Sequence, residues 1–114
     1  MERKIQQRLA EIQERLLKLS IGGQNVFHYW HTRKDAPYVI WAEDGPSSYF
    51  DAGNRHAEIS IHGTLDYFTK KEFDPVFDEI EKALTELFES RWRWTSTQFE
   101  DSTGLVHHEW EWNL

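Results

Sequence analysis

The stretch Arg91-Trp92-Arg93-Trp94-Thr95-Ser96-Thr97-Gln98-Phe99-Glu100-Asp101-Ser102-Thr103-Gly104-Leu105-Val106-His107-His108-Glu109-Trp110-Glu111-Trp112 decides the fold, because its tryptophans fix a strand pairing. Side chains alternate between the two faces of a strand. Trp92 and Trp94 share the parity of Trp110 and Trp112. An in-register hairpin that opposes Trp94 to Trp110 therefore also opposes Trp92 to Trp112 and sets Arg93 against Glu111. Four indoles then share one face and a charge pair lies on the other. The polar run Glu100-Asp101-Ser102-Thr103-Gly104 supplies the turn.

Just upstream, Phe77, Ile80, Leu84, Leu87 and Phe88 recur at helical spacing, and Asp74-Pro75 is a good helix start. Asp accepts from free backbone N–H groups, and proline suits the first helical position. Asp78 and Glu79 lie favourably near the positive end of that helix. Residues 56–68 alternate, with Ala57, Ile59, Ile61, Gly63, Leu65 and Tyr67 on one side and polar residues on the other, which predicts a long strand with one wet face. Val26-Phe27-His28-Tyr29-Trp30 and Tyr38-Val39-Ile40-Trp41 read as two adjacent antiparallel strands. Residues 43–54 hold Gly45-Pro46-Ser47-Ser48 and Gly53-Asn54 and read as an irregular excursion carrying Tyr49 and Phe50. At the start, Ile5, Leu9, Ile12, Leu16 and Leu19 mark one helical face over residues 2–19, and Gly22-Gly23 provide a stop. The order α-β-β-β-α-β-β predicts an α+β fold with one mainly antiparallel sheet of about five strands and two helices packed on it.

At 114 residues the chain is long enough for one core, and it is read as a single domain over 1–114. The absence of cysteine excludes a disulfide framework and a thiolate zinc cluster. Neither a secretion signal nor a bilayer-spanning stretch is legible, so a soluble protein with no membrane partner is expected. The formal net charge of -7 argues against nucleic acid as the main ligand, since phosphate contacts need a basic face.

No catalytic motif stands out, and no catalytic residue, cofactor site or metal site is expected. His28 and His31 are three apart, but no nearby carboxylate completes a ligand set, and surface or partly buried histidines are the simpler reading. His107 and His108 are strand neighbours, so their rings should point to opposite faces. The acidic residues fall on a helix surface and on loops, where solvation explains them. The glycines lack the spacing of a phosphate loop.

The anomaly is aromatic: six Trp, seven Phe and four Tyr make up 15% of the chain. Two helices cover one face of a sheet, yet the first two strands carry large apolar groups on both faces. The other face is covered either by the Tyr49-Phe50 loop and the first helix within one molecule, or by a second subunit. Subunit or partner contacts are expected at Tyr49, Phe50, Trp92, Trp94, Trp110 and Trp112.

Several segments carry a resemblance. They are Val26-Phe27-His28-Tyr29-Trp30, Ala36-Pro37-Tyr38-Val39-Ile40-Trp41, Tyr49-Phe50-Asp51-Ala52, and Gly63-Thr64-Leu65-Asp66-Tyr67-Phe68-Thr69-Lys70. Asp74-Pro75 with Asp78 and Ile80, and the ending Glu100-Asp101-Ser102-Thr103-Gly104-Leu105-Val106-His107-His108-Glu109-Trp110, complete the pattern. In this order they resemble a family of small tail-terminator-like proteins of long-tailed bacteriophages and prophages, also described as minor tail or head-tail joining components. The resemblance implies a ring, usually of six subunits, that sits on the finished tail tube and stops its polymerisation. It implies three partners: further copies of the chain, the tail-tube protein and the head-side connector protein. The implied location is the virion tail, and the host cytoplasm during assembly. A small cytoplasmic protein-protein interaction module unrelated to tails, capturing a strand or peptide on a free sheet edge, is the rival reading.

Overall fold

A computed structural model of the chain describes residues 5–30, 35–47 and 60–114. Helix α1 spans Ile5–Leu16, and a short 3-10 turn at Gly23–Asn25 leads into strand β1, Val26–His28. Strands β2 (Tyr38–Pro46) and β3 (Ile61–Thr69) follow, then helix α2 (Val76–Phe88) and the hairpin of β4 (Trp92–Glu100) and β5 (Leu105–Asn113). The five strands form one sheet in the order β1-β2-β3-β5-β4, so the expected α+β class and element order hold.

The terminal hairpin has the register its tryptophans dictate: Trp92 faces Trp112, Arg93 faces Glu111 and Trp94 faces Trp110. Between Trp94 and Ser96 the register then shifts by one residue. Such a bulge reverses the parity of everything beyond it. Phe99 consequently pairs with Val106 on the face of Trp94, where strict alternation would have put it on the opposite face.

The expectation that the first two strands are antiparallel is corrected. β1 runs parallel to β2, with Val26, Phe27 and His28 level with Val39, Ile40 and Trp41. Parallel neighbours ordinarily need a long crossover. Here β1 has only 3 residues, so the connection has to return only about 10 Å. Helix α1 also ends earlier than its apolar pattern, at Leu16. Its last turn tightens into bonds from Lys18 N–H to the Arg15 carbonyl and from Leu19 N–H to the Leu16 carbonyl. Leu19 is nevertheless buried, and the Glu79 carboxylate of α2 accepts from the Ser20 N–H (3.0 Å) and hydroxyl (2.6 Å).

Both helices lie on one face of the sheet. Leu9, Ile12 and Leu16 of α1 and Ile80, Leu84 and Phe88 of α2 form one apolar cluster with Trp41, Leu65, Tyr67, Trp110 and Trp112. The first helix therefore does not cover the second face, as one of the two alternatives required. At Gly63 the packing leaves no room for a side chain. This glycine faces Trp112 across the β3–β5 pair, and its missing side chain leaves room for that indole. The start of α2 is fixed as its sequence suggests: Asp74 Oδ1 accepts the Val76 N–H at 2.9 Å, and Oδ2 accepts the hydroxyls of Tyr67 (2.6 Å) and Thr69 (2.7 Å).

Candidate interaction surface

The indoles of the hairpin divide into two environments. Trp110 and Trp112 are 0% exposed under α2. Phe88 stacks on Trp112 at 4.8 Å, and the Trp110 Nε1–H donates to Glu81 at 3.0 Å. The expectation that Trp110 and Trp112 contact a partner is thus corrected, because one chain already encloses them. Trp92 is partly buried against the same core. Trp94 is different: one strand further out, beyond the cover of α2, it is 52% exposed. Phe77 of α2 bridges the two zones, 4.9 Å from Trp110 and 6.1 Å from Trp94. Tyr49 and Phe50 lie outside the described residues.

A matching series of rings reaches the opposite edge of the sheet. Trp41, 1% exposed in the core, stacks on His28 at 3.9 Å, and His28 stacks on Tyr29 at 4.1 Å. Trp30 then meets Tyr29 edge-on at 5.4 Å and is itself 78% exposed. Glu43 of β2 anchors this series, accepting from the Tyr29 hydroxyl and lying 2.8 Å from His28 Nε2. The carboxylate that sequence reasoning did not find for His28 is therefore Glu43, brought alongside by the parallel pairing. Bonds from Tyr29 and His28 outweigh the opposing effect of burial and hold the Glu43 carboxyl below its ordinary range. His31 lies outside the described residues. Among the described residues, no group of three His, Asp or Glu side chains could hold a metal ion.

The face away from the helices is less bare than its composition suggests. Tyr38 stacks on Phe68 at 4.8 Å, Phe68 stacks on His107 at 4.2 Å, and Tyr38 is only 9% exposed. As expected for strand neighbours, His107 and His108 face opposite ways. His107 Nε2 lies 2.6 Å from Asp66, whereas His108 sits edge-on to Phe77 at 4.9 Å on the helix side.

Besides Tyr29 and Trp30, two further exposed rings, Phe99 and Phe73, are not among the contact residues expected from sequence. Phe99 reaches the helix side only through the bulge in β4. Phe73, 91% exposed, is held at a positive φ of 56° in the turn before α2, a conformation that bulky residues seldom adopt. Phe73, Asp74, Pro75, Phe77, Asp78 and His108 line an open hollow of about 450 Å³, and Phe77 also meets the ring of Trp94. Phe73, Pro75 and Phe77 give the hollow an apolar part beside Asp74, Asp78 and His108, and Asp74 already accepts from Tyr67, Thr69 and Val76. Such a surface suits the burial of apolar groups of another molecule.

The chain matches no protein-family model and no curated protein.

Proposed function

We propose that this chain is a structural tail protein of a long-tailed bacteriophage, a terminator-like subunit that assembles as a ring on the tail tube. In this reading it ends tube polymerisation and joins the tail to the head-side connector. The observation that carries the reading is the position of the exposed rings. Tyr29 and Trp30 follow one edge strand, and Trp94 and Phe99 lie on the other. Aromatic groups in such positions anchor protein contacts, and two unlike edges on one subunit allow a repeated contact that closes into a ring. The ordered set of segments that resembles the terminator-like family supports the same reading. The rival reading, an adaptor that captures a strand, draws support from the exposed 9-residue edge strand β4 alone. It leaves Tyr29 and Trp30 at the other edge without a role, so the ring reading accounts for more.

Deletion of the gene from the phage tests the proposal. Electron micrographs should show overlong tails, or tails without heads. Normal virions of normal tail length would overturn it.

A further inference from the structure

We propose that successive copies of this chain meet head to tail, with the Tyr29–Trp30 and Glu43–Asp44 rim of one copy against the Arg93–Trp94 rim of the next. This rests on the ring reading above and names the contact that would build the ring.

Register is the first argument. His28 is level with Trp41, Trp41 with Leu65, Leu65 with Trp110, and Trp110 with Trp94. One residue along, Ala42, Thr64, Glu111 and Arg93 share a row, and Glu43, Gly63, Trp112 and Trp92 share the next. His28, from which the ring series passes to Tyr29 and Trp30, therefore stands level with Trp94 and on the same face. Sliding two copies together side by side would join the core-to-solvent series ending at Trp30 to the one ending at Trp94. No shift along the strands is needed.

Strand direction is the second. β1 is parallel to β2, while β2–β3, β3–β5 and β5–β4 are each antiparallel. β4 therefore runs opposite to β1. Placing copies edge to edge in the same sense sets antiparallel strands side by side, the commoner arrangement in sheets, and keeps both helix layers on one side. The contact needs only side chains, whether or not the backbones join.

Charge is the third. Beyond His28 the rim on the β1 side, among the described residues, is β2 itself, which presents Glu43 and Asp44. Within one or two rows of them β4 presents Arg93, level with Ala42, and Arg91 just before it. Arg93 bonds Glu111 and Asp44 bonds His62 within the chain, yet the Arg93 and Asp44 side chains remain 74% and 52% exposed. An anionic rim facing a cationic rim favours unlike edges. Pairing Trp94 against Trp94, in contrast, would bring arginines together.

A charge exchange tests the contact. Arg93→Glu and Asp44→Lys, each alone, should lower the self-association constant by roughly tenfold. An equimolar mixture should restore it, because alternating copies regain an attractive pair at every junction. Unchanged association of both single variants would overturn the proposal, as would a mixture no better than either alone.

A covalent measurement backs this up at two exposed positions. The chain has no cysteine. In the double variant Trp30→Cys/Arg93→Cys the thiols lie on opposite sheet edges, four strand spacings or on the order of 19 Å apart, too far to bond within one molecule. Oxidation should give a ladder of covalent multimers from the double variant, and nothing beyond a dimer from either single variant. If the unmodified chain associates while both experiments fail, this contact is wrong and the ring reading survives. If the unmodified chain stays monomeric by light scattering at every concentration and in the presence of tube ends, both fall.

Discussion

Trp94 and Trp110 face one another across the β4–β5 pair, yet one is half exposed and the other enclosed. The difference comes from α2, which covers Trp110, touches β4 at Trp92 through Thr85, and meets Trp94 through the edge of Phe77. Trp110→Ala should therefore leave a large cavity and cost about 3–5 kcal/mol of stability. Trp94→Ala should cost less than about 1 kcal/mol while weakening self-association. Denaturant unfolding, read beside light scattering, separates the two effects, and equal losses of stability would contradict the division.

Gly63→Ala should destabilise the sheet. An added Cβ would lie 2.1 Å from Trp112 Cζ2 and 2.5 Å from the Ala42 carbonyl oxygen, so a buried indole and a backbone group would both have to move. Overpacking of this kind costs about 1–3 kcal/mol, or a melting temperature lower by roughly 4–8 °C per kcal/mol. Thermal unfolding of the variant checks it, and an unchanged melting temperature would argue against the packing described.

His107 and His108 should titrate on opposite sides of the ordinary histidine value. The hydrogen bond to Asp66 raises His107 against the effect of burial, whereas burial lowers His108. The His107 contribution is fully present below about pH 6.5 and fades as pH rises through its higher folded value. His108 resists protonation in the folded state, so it costs stability as pH falls below about 6.5. Following the imidazole resonances through pH 5–9 distinguishes two midpoints from one. Asp66→Asn should bring the His107 midpoint down and leave that of His108 nearly unchanged.

Asp74→Ala should remove the acceptor shared by Tyr67, Thr69 and the Val76 N–H, at a cost on the order of 2–4 kcal/mol. Those three bonds outweigh burial and hold the Asp74 carboxyl below its ordinary range. Its contribution is therefore present above about pH 4 and lost as pH falls through the lower folded value. In the Asp74→Ala variant, stability should depend less on pH below about 4. An unaltered acid limb would contradict this assignment.

The hairpin, β3 and the start of α2 were legible because each rests on local chemistry: the parity of Trp92 and Trp94 with Trp110 and Trp112, the alternation through Leu65 and Tyr67, and the capping oxygens of Asp74. What escaped is set between elements. Nothing local marks β1 as parallel, since that depends on how far the chain travels between His28 and Tyr38. The end of α2 carries no glycine, and Glu89 closes it at a φ of 59° through its N–H bond to the Thr85 carbonyl. Which indoles stay exposed depends on where α2 crosses the sheet: of the four tryptophans proposed from sequence as interface residues, Trp110 and Trp112 are buried, Trp92 is partly buried and Trp94 is exposed. The ring series from Trp41 to Trp30 arises only once β1 and β2 lie side by side.

The most direct measurement polymerises purified tail-tube protein of the same phage with and without this chain and records tube lengths by negative-stain electron microscopy. The account predicts shorter tubes at increasing chain concentration, each ending in a ring of the added protein. Identical length distributions, with the chain left unbound in the supernatant, would contradict it.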